Sequence, residues 1–114
     1  MRWQDVVEIA LKWPEVAAGI SYGEPSLRVR KRLLTRNRLH DDSIVFLDVP
    51  PEEREMLIEA SPRTFFVEDH YRSYDIVLAR LESISPREVE TILERRWRSS
   101  ATKRAIAEFE QGKT

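Results

Sequence analysis

Residues 26–49, SLRVRKRLLTRNRLHDDSIVFLDV, decide the fold. Leu27 and Val29 alternate with Arg28 and Arg30, the two-residue period of a strand with one face buried. Leu33 to Leu39 reads as a second strand, reached through a tight Lys31-Arg32 turn that lacks the glycine or asparagine such turns favour. His40-Asp41-Asp42-Ser43 is a chemically better turn. Ile44 to Val49 is almost continuously apolar and β-prone, so it reads as a central strand covered on both faces. Strands this close in sequence leave no room for crossover helices and must join as antiparallel hairpins.

Helices flank this run. Trp3, Val6, Val7, Ala10 and Leu11 recur at helical spacing, and Pro14 ends that helix by restricting Trp13. Gly19, Gly23 and Pro25 then punctuate a change of period. Pro50-Pro51-Glu52-Glu53 has the composition of a helix start, with Met56, Leu57 and Ala60 as its expected buried face and Ser61-Pro62 as its stop. Residues 64–67 form a short strand and 75–81 a longer one, separated by the aromatic and polar loop 68–74. Ser85, Pro86 and Glu88 make a capping box with proline in the first turn, followed by the stripe Val89, Ile92, Leu93 and Trp97. Ser99-Ser100 interrupts it before Thr102, Ala105, Ile106 and Phe109 resume helical spacing. The expected fold class is α+β: a single antiparallel sheet with helices on one face, an N-terminal helix and a C-terminal helical pair. One domain spans residues 1–110, and 111–114 form a flexible tail.

Composition bounds the function. A chain of 114 residues holds one core. It contains no cysteine, which excludes disulfides and thiolate chemistry. No apolar run has membrane-spanning length and the first residues lack a signal-peptide core, so a cytoplasmic location without a membrane partner is expected. Nineteen basic against twenty acidic residues give a net charge of −1, which hides strong polarisation. Residues 25–40 carry Arg28, Arg30, Lys31, Arg32, Arg36 and Arg38 and no acid, whereas 41–69 carry nine acids against Arg54 and Arg63. In a hairpin Arg28 and Arg30 point to one face, and the parity of Arg36 and Arg38 places them opposite on that same face. Such a ribbon would lie along duplex phosphates, and all six cations meeting phosphates would give a salt slope of about −5 at roughly −0.9 per contact. Aromatic residues do not interleave with them, so duplex DNA fits better than single strands. Arg95, Arg98 and Lys103, within a second basic cluster, would be accessories. The alternative is a solvated sheet face whose arginines pair with acids of the 52–59 helix.

Enzymatic signals are missing. No glycine-rich phosphate loop, nucleophile elbow or H-E-x-x-H spacing occurs, so neither catalysis nor a cofactor is expected. Glu68-Asp69-His70 and His40-Asp41-Asp42 hold metal-ligand residue types, but three adjacent residues rarely converge on one ion, and no metal is expected. Two further readings stay open. One is a protein-interaction module, self-associating or partner-binding through complementary charge. The other is a small-ligand pocket lined by Tyr22, His70, Tyr71 and Tyr74, holding an anion near Arg72.

Short motifs in one order also carry a resemblance. They are Ser21-Tyr22-Gly23-Glu24-Pro25 with Leu27-Arg28-Val29-Arg30, Pro51-Glu52-Glu53-Arg54, Phe65-Phe66-Val67 leading to His70-Tyr71, Val77-Leu78-Ala79-Arg80-Leu81, and Trp97 with Lys103-Arg104. Together these resemble the MmcQ/YjbR-like family of small bacterial proteins, from Trp3 to about Phe109. The resemblance implies a frataxin-like (CyaY-like) α+β fold and a "double wing" approach of sheet hairpins to DNA. The sequence departs from the family pattern at Asp69, Ser73, Asp75, Ile76 and Thr102. The first helix, with few acids, does not suit iron handling.

Overall fold

A computed structural model of the chain describes residues 1–112; Lys113 and Thr114, the end of the expected tail, lie outside the described residues. The apolar stripe of the first segment winds into α1 (Trp3–Leu11), which buries Val6, Val7 and Ala10. The next segment differs from the expectation of mere punctuation: Val16–Ser21 forms strand β1. It joins β2 (Glu24–Val29) through Tyr22 and Gly23, both at positive φ, +55° and +77°. Positive φ at both central residues is the turn geometry that suits the twist of a two-residue hairpin. The next turn is Arg30-Lys31, with Arg30 at φ +57°, and leads into β3 (Arg32–Arg38). Strand β4 (Ser43–Leu47) follows, then α2 (Pro51–Ala60), β5 (Phe65–Phe66), a 3-10 turn over Asp69–Tyr71, β6 (Ile76–Arg80), α3 (Pro86–Ser100) and α4 (Lys103–Gln111). Gln111 thus belongs to a helix rather than to the tail.

All six strands form one antiparallel sheet in the order β1-β2-β3-β4-β6-β5, which is the expected α+β class. The continuously apolar β4 sits inside it, as its sequence requires. Leu27, Val29, Leu34, Ile44, Phe46, Val77 and Ala79 join Val6, Ala10, Val89, Leu93 and Trp97 in one core. Trp97 stacks on Trp13 at 6.0 Å and donates its indole N–H to the Pro14 carbonyl at 2.8 Å. Burying one such aromatic stabilises by roughly 3 kcal/mol.

Helix α2 departs from its expected stripe. Met56 is 69% exposed and Ala60 is exposed, while Leu57 and Ile58 pack against the core and Arg54 is buried. The Arg54 guanidinium explains the rotation: it donates to the carbonyls of Tyr74 (2.9 Å), Ile76 (3.2 Å) and Arg72 (3.3 Å), pinning the loop before β6. Ser85 caps α3 as its sequence signals, accepting from the Glu88 N–H at 3.2 Å while Glu88 accepts from the Ser85 N–H at 3.0 Å.

Candidate nucleic-acid interface and open-face cleft

Strand alternation divides the six cations of residues 25–40. Core residues Leu27 and Val29 fix the phase of β2, so Ser26 and Arg28 turn to the opposite, helix-free face. In β3 a bulge intervenes: Leu27 lies opposite Thr35 but Arg28 opposite Leu33, leaving Leu34 as the extra residue. Past it, Arg36 and Arg38 return to the open face with Arg28. Before it, Arg32 turns toward the helices and its guanidinium reaches the Ser99 carbonyl at 3.4 Å. Arg30 stands in the turn rather than on a strand. The face expected to be shared by Arg28, Arg30, Arg36 and Arg38 therefore holds only Arg28, Arg36 and Arg38, because Arg30 stands in the turn, while the bulge reverses the parity of β3 and sends Arg32 to the other side.

Two of those three already have acid partners. Arg36 pairs with Glu24, donates to the Tyr71 hydroxyl at 3.1 Å, and sits over the Tyr22 ring at 5.4 Å. Glu24 in turn accepts from the Leu39 N–H at 2.8 Å, and that bond together with Arg36 holds its carboxyl below the usual range against the pull of burial. Arg38, only 3% exposed, contacts Glu68 at 2.9 Å, Asp41 at 3.2 Å and the His40 Nε2 at 2.7 Å. These partners come from Glu24 and from the loops after β3 and β5, not from the 52–59 helix. Ligand atoms of His40, Asp41 and Glu68 lie within 4.8 Å of one another, but the Arg38 guanidinium already pairs with both carboxylates and hydrogen-bonds the imidazole.

The remaining cations gather at one tip. Among the described residues, Arg28, Arg30, Lys31, Arg32 and Lys103 form no ion pair within 4 Å. Arg28 spends its guanidinium on the Lys31 carbonyl (3.1 Å) and the Ser21 hydroxyl (2.8 Å), both neutral. The tip is set by Glu15, whose carbonyl accepts from the Arg30 N–H at 3.1 Å and whose carboxylate accepts from the Thr102 N–H and hydroxyl, each at 2.9 Å. The Arg30-Lys31 turn thus abuts the α3–α4 junction, where Lys103 opens α4. Of the other candidate accessories, Arg95 is paired with Glu53 (2.9 Å) and Arg98 with Glu94 (2.9 Å) and Glu110 (2.5 Å). Arg96 is tied to the Leu33 carbonyl and Asp48.

The open face also carries a cleft of about 480 Å³ lined by Tyr22, Leu33, Arg36, Val45, Leu47, His70, Tyr71 and Ile76. Three of the four aromatic residues singled out in the sequence converge there, with an apolar strand floor beneath them. Tyr74 is not among them and is 58% exposed. Arg72 is occupied by Asp69 at 2.8 Å, so the guanidinium in the cleft is Arg36, which sequence distance concealed. Comparison with family profiles, with curated proteins and with solved structures returns no match. Among the described residues no helix is long and apolar enough to cross a membrane.

Proposed function

We propose that this protein binds duplex DNA without catalysis, through phosphate contacts at the tip where the β2–β3 turn meets the α3–α4 junction. The observation that carries this is the gathering of Arg28, Arg30, Lys31, Arg32 and Lys103 at one end of the molecule. Among the described residues none of them is within ion-pair distance of a carboxylate, although Arg30 lies close enough to Glu15 to help hold its carboxyl low. Guanidinium and ammonium groups not already neutralised are the ones whose phosphate contacts release counterions. The resemblance of the ordered motifs to those of MmcQ/YjbR-like proteins points the same way. Backbone charge, not base edges, would carry the affinity, since no Asn- or Gln-rich recognition helix occurs among the described residues. Fluorescence anisotropy with a labelled duplex tests it. Arg30→Ala with Lys31→Ala should weaken binding and lessen its salt dependence, whereas Arg36→Gln should alter neither. Affinity that ignores salt, or that survives the tip substitutions unchanged, overturns the proposal.

A second reading rests on the cleft. Its apolar floor, two tyrosines and charge-compensated Arg36 suit a neutral planar ring stacked between Tyr22 and Tyr71. A thermal-shift screen of uncharged heteroaromatic compounds should find stabilisers whose effect disappears in Tyr71→Ala. A screen without such compounds removes the reading.

A further inference from the structure

Strand β1 is the outer edge of the sheet, and its hydrogen-bonding phase is fixed. Because the Arg30 N–H bonds the Glu15 carbonyl, Glu15, Ala17, Gly19 and Ser21 are the residues that exchange bonds with β2. Val16, Ala18 and Ile20 therefore turn their N–H and C=O groups outward, to the side where no strand lies. Edge strands are ordinarily guarded by charge, proline, a bulge or brevity. Val16–Ser21 has none of these: it is VAAGIS, six residues long, and runs in unbroken register with β2. The opposite edge, β5, is two residues long and so is guarded by its brevity.

We infer that β1 pairs antiparallel with β1 of a second copy, about a two-fold axis at Ala18. The register follows from the outward groups. Only even-numbered residues can bond across the edge, and centring on Ala18 gives the fullest overlap, with Val16 opposite the second copy's Ile20 and Ala18 opposite its twin. The same register solves a packing problem. Ile20 is 76% exposed although it lies on the helix-bearing face, whereas Val16 on that face packs against the core. Two-fold pairing lays each Ile20 against the other copy's Val16, an aliphatic cross-strand pair formed twice.

Charge agrees with this arrangement. No charged side chain lies on β1, and the Arg30-Lys31 turn stands beyond its Val16 end. Antiparallel pairing sends the two basic tips to opposite ends. A single strand pair buries little surface, so the dimer is weak and concentration-dependent. The inference stands independently of the nucleic-acid reading.

Sedimentation velocity on dilute and concentrated protein, without nucleic acid, is the first measurement, with amide hydrogen exchange of the same samples as the second. The sedimentation coefficient should rise with concentration, and the Val16, Ala18 and Ile20 amides should become protected in step. Ile20→Lys, a change at an exposed position that leaves the fold intact, should keep the chain monomeric. Ala18→Pro should do the same, since the N–H it removes makes no bond to β2. A monomer at every concentration overturns the inference, as does a dimer whose β1 amides still exchange freely. Protection of β1 only by an added extended peptide would assign the edge to a foreign strand and overturn self-pairing.

Discussion

Arg30 and Arg36 belong to one acid-free run, yet their surroundings give them different work. Arg36 is held by Glu24, Tyr71 and Tyr22, so its charge serves the fold. Arg30 is exposed and forms no ion pair among the described residues; besides its backbone N–H bond, its charge helps hold the nearby Glu15 carboxyl low. Buried Arg54 is the extreme case, since three carbonyls of residues 72–76 depend on one guanidinium. Hydrogen bonds to a charged donor contribute roughly 1.5–3 kcal/mol, and part of that returns when the freed loop carbonyls meet water. Arg54→Met should therefore cost about 3 kcal/mol. It should appear as a lower urea midpoint with an unchanged slope. Arg54→Lys should recover under half of the loss, because an ammonium lacks the planar fork that spans the carbonyls. The same variants should shift the resonances of His70 and Tyr71, whose loop Arg54 anchors. The residue types at the tip and in the cleft were legible in the sequence. The acids that disarm Arg36 and Arg38 were not, because Glu24 and Glu68 reach them only after the sheet has closed.

At the level of elements, local signals that agreed with the tertiary fold were readable, and those overruled by it were not. The α3 start is written in Ser85, Pro86 and Glu88, and β4 in its apolar run. Strand β1 was hidden because Ala17, Ala18 and Gly19 have little β-propensity of their own; pairing with β2 makes it a strand. The bulge at Leu34 was equally invisible, and it is what moved Arg32 to the helix side. Glu15 then links three elements, at a positive φ of +69° that a non-glycine residue adopts only when held. The Thr102 N–H is the main cause that keeps the Glu15 carboxyl low, with its hydroxyl and Arg30 assisting against desolvation. Glu24 is lowered in the same direction by Leu39 and Arg36. Both carboxyls release their protons more readily folded than unfolded. Their stabilisation is complete above the ordinary value of 4.5 and disappears as pH falls through the lowered folded values. The urea midpoint should stay level from neutral pH to about 5 and then drop. Glu24→Gln and Glu15→Gln should each lower the plateau and flatten the drop. An equally steep drop in both variants would remove these two groups as its cause.

For the whole molecule, the net charge of −1 conceals a basic end and an acid-rich remainder, and salt is the variable that separates them. Five cations meeting phosphates at roughly −0.9 each give a slope of about −4.5 in log affinity against log salt. Between about 50 and 200 mM salt, affinity for a duplex should then fall about 500-fold. The six-cation ribbon expected from sequence predicts nearly the same slope, so the wild-type protein alone does not tell the two surfaces apart. The variants do. Lys31→Ala with Lys103→Ala should reduce the slope by about 1.8 if the tip is the interface. Arg36→Gln with Arg38→Gln should leave the slope unchanged while lowering the unfolding midpoint, because those guanidiniums meet Glu24, Asp41 and Glu68 before any phosphate. The reverse pattern would return the contacts to the open face. It would require Arg36 to leave the shielded Glu24 carboxylate, and Arg38 to emerge from its buried seat beside Glu68, when DNA arrives, at a cost in unpaired, partly desolvated charge that weak phosphate contacts do not repay.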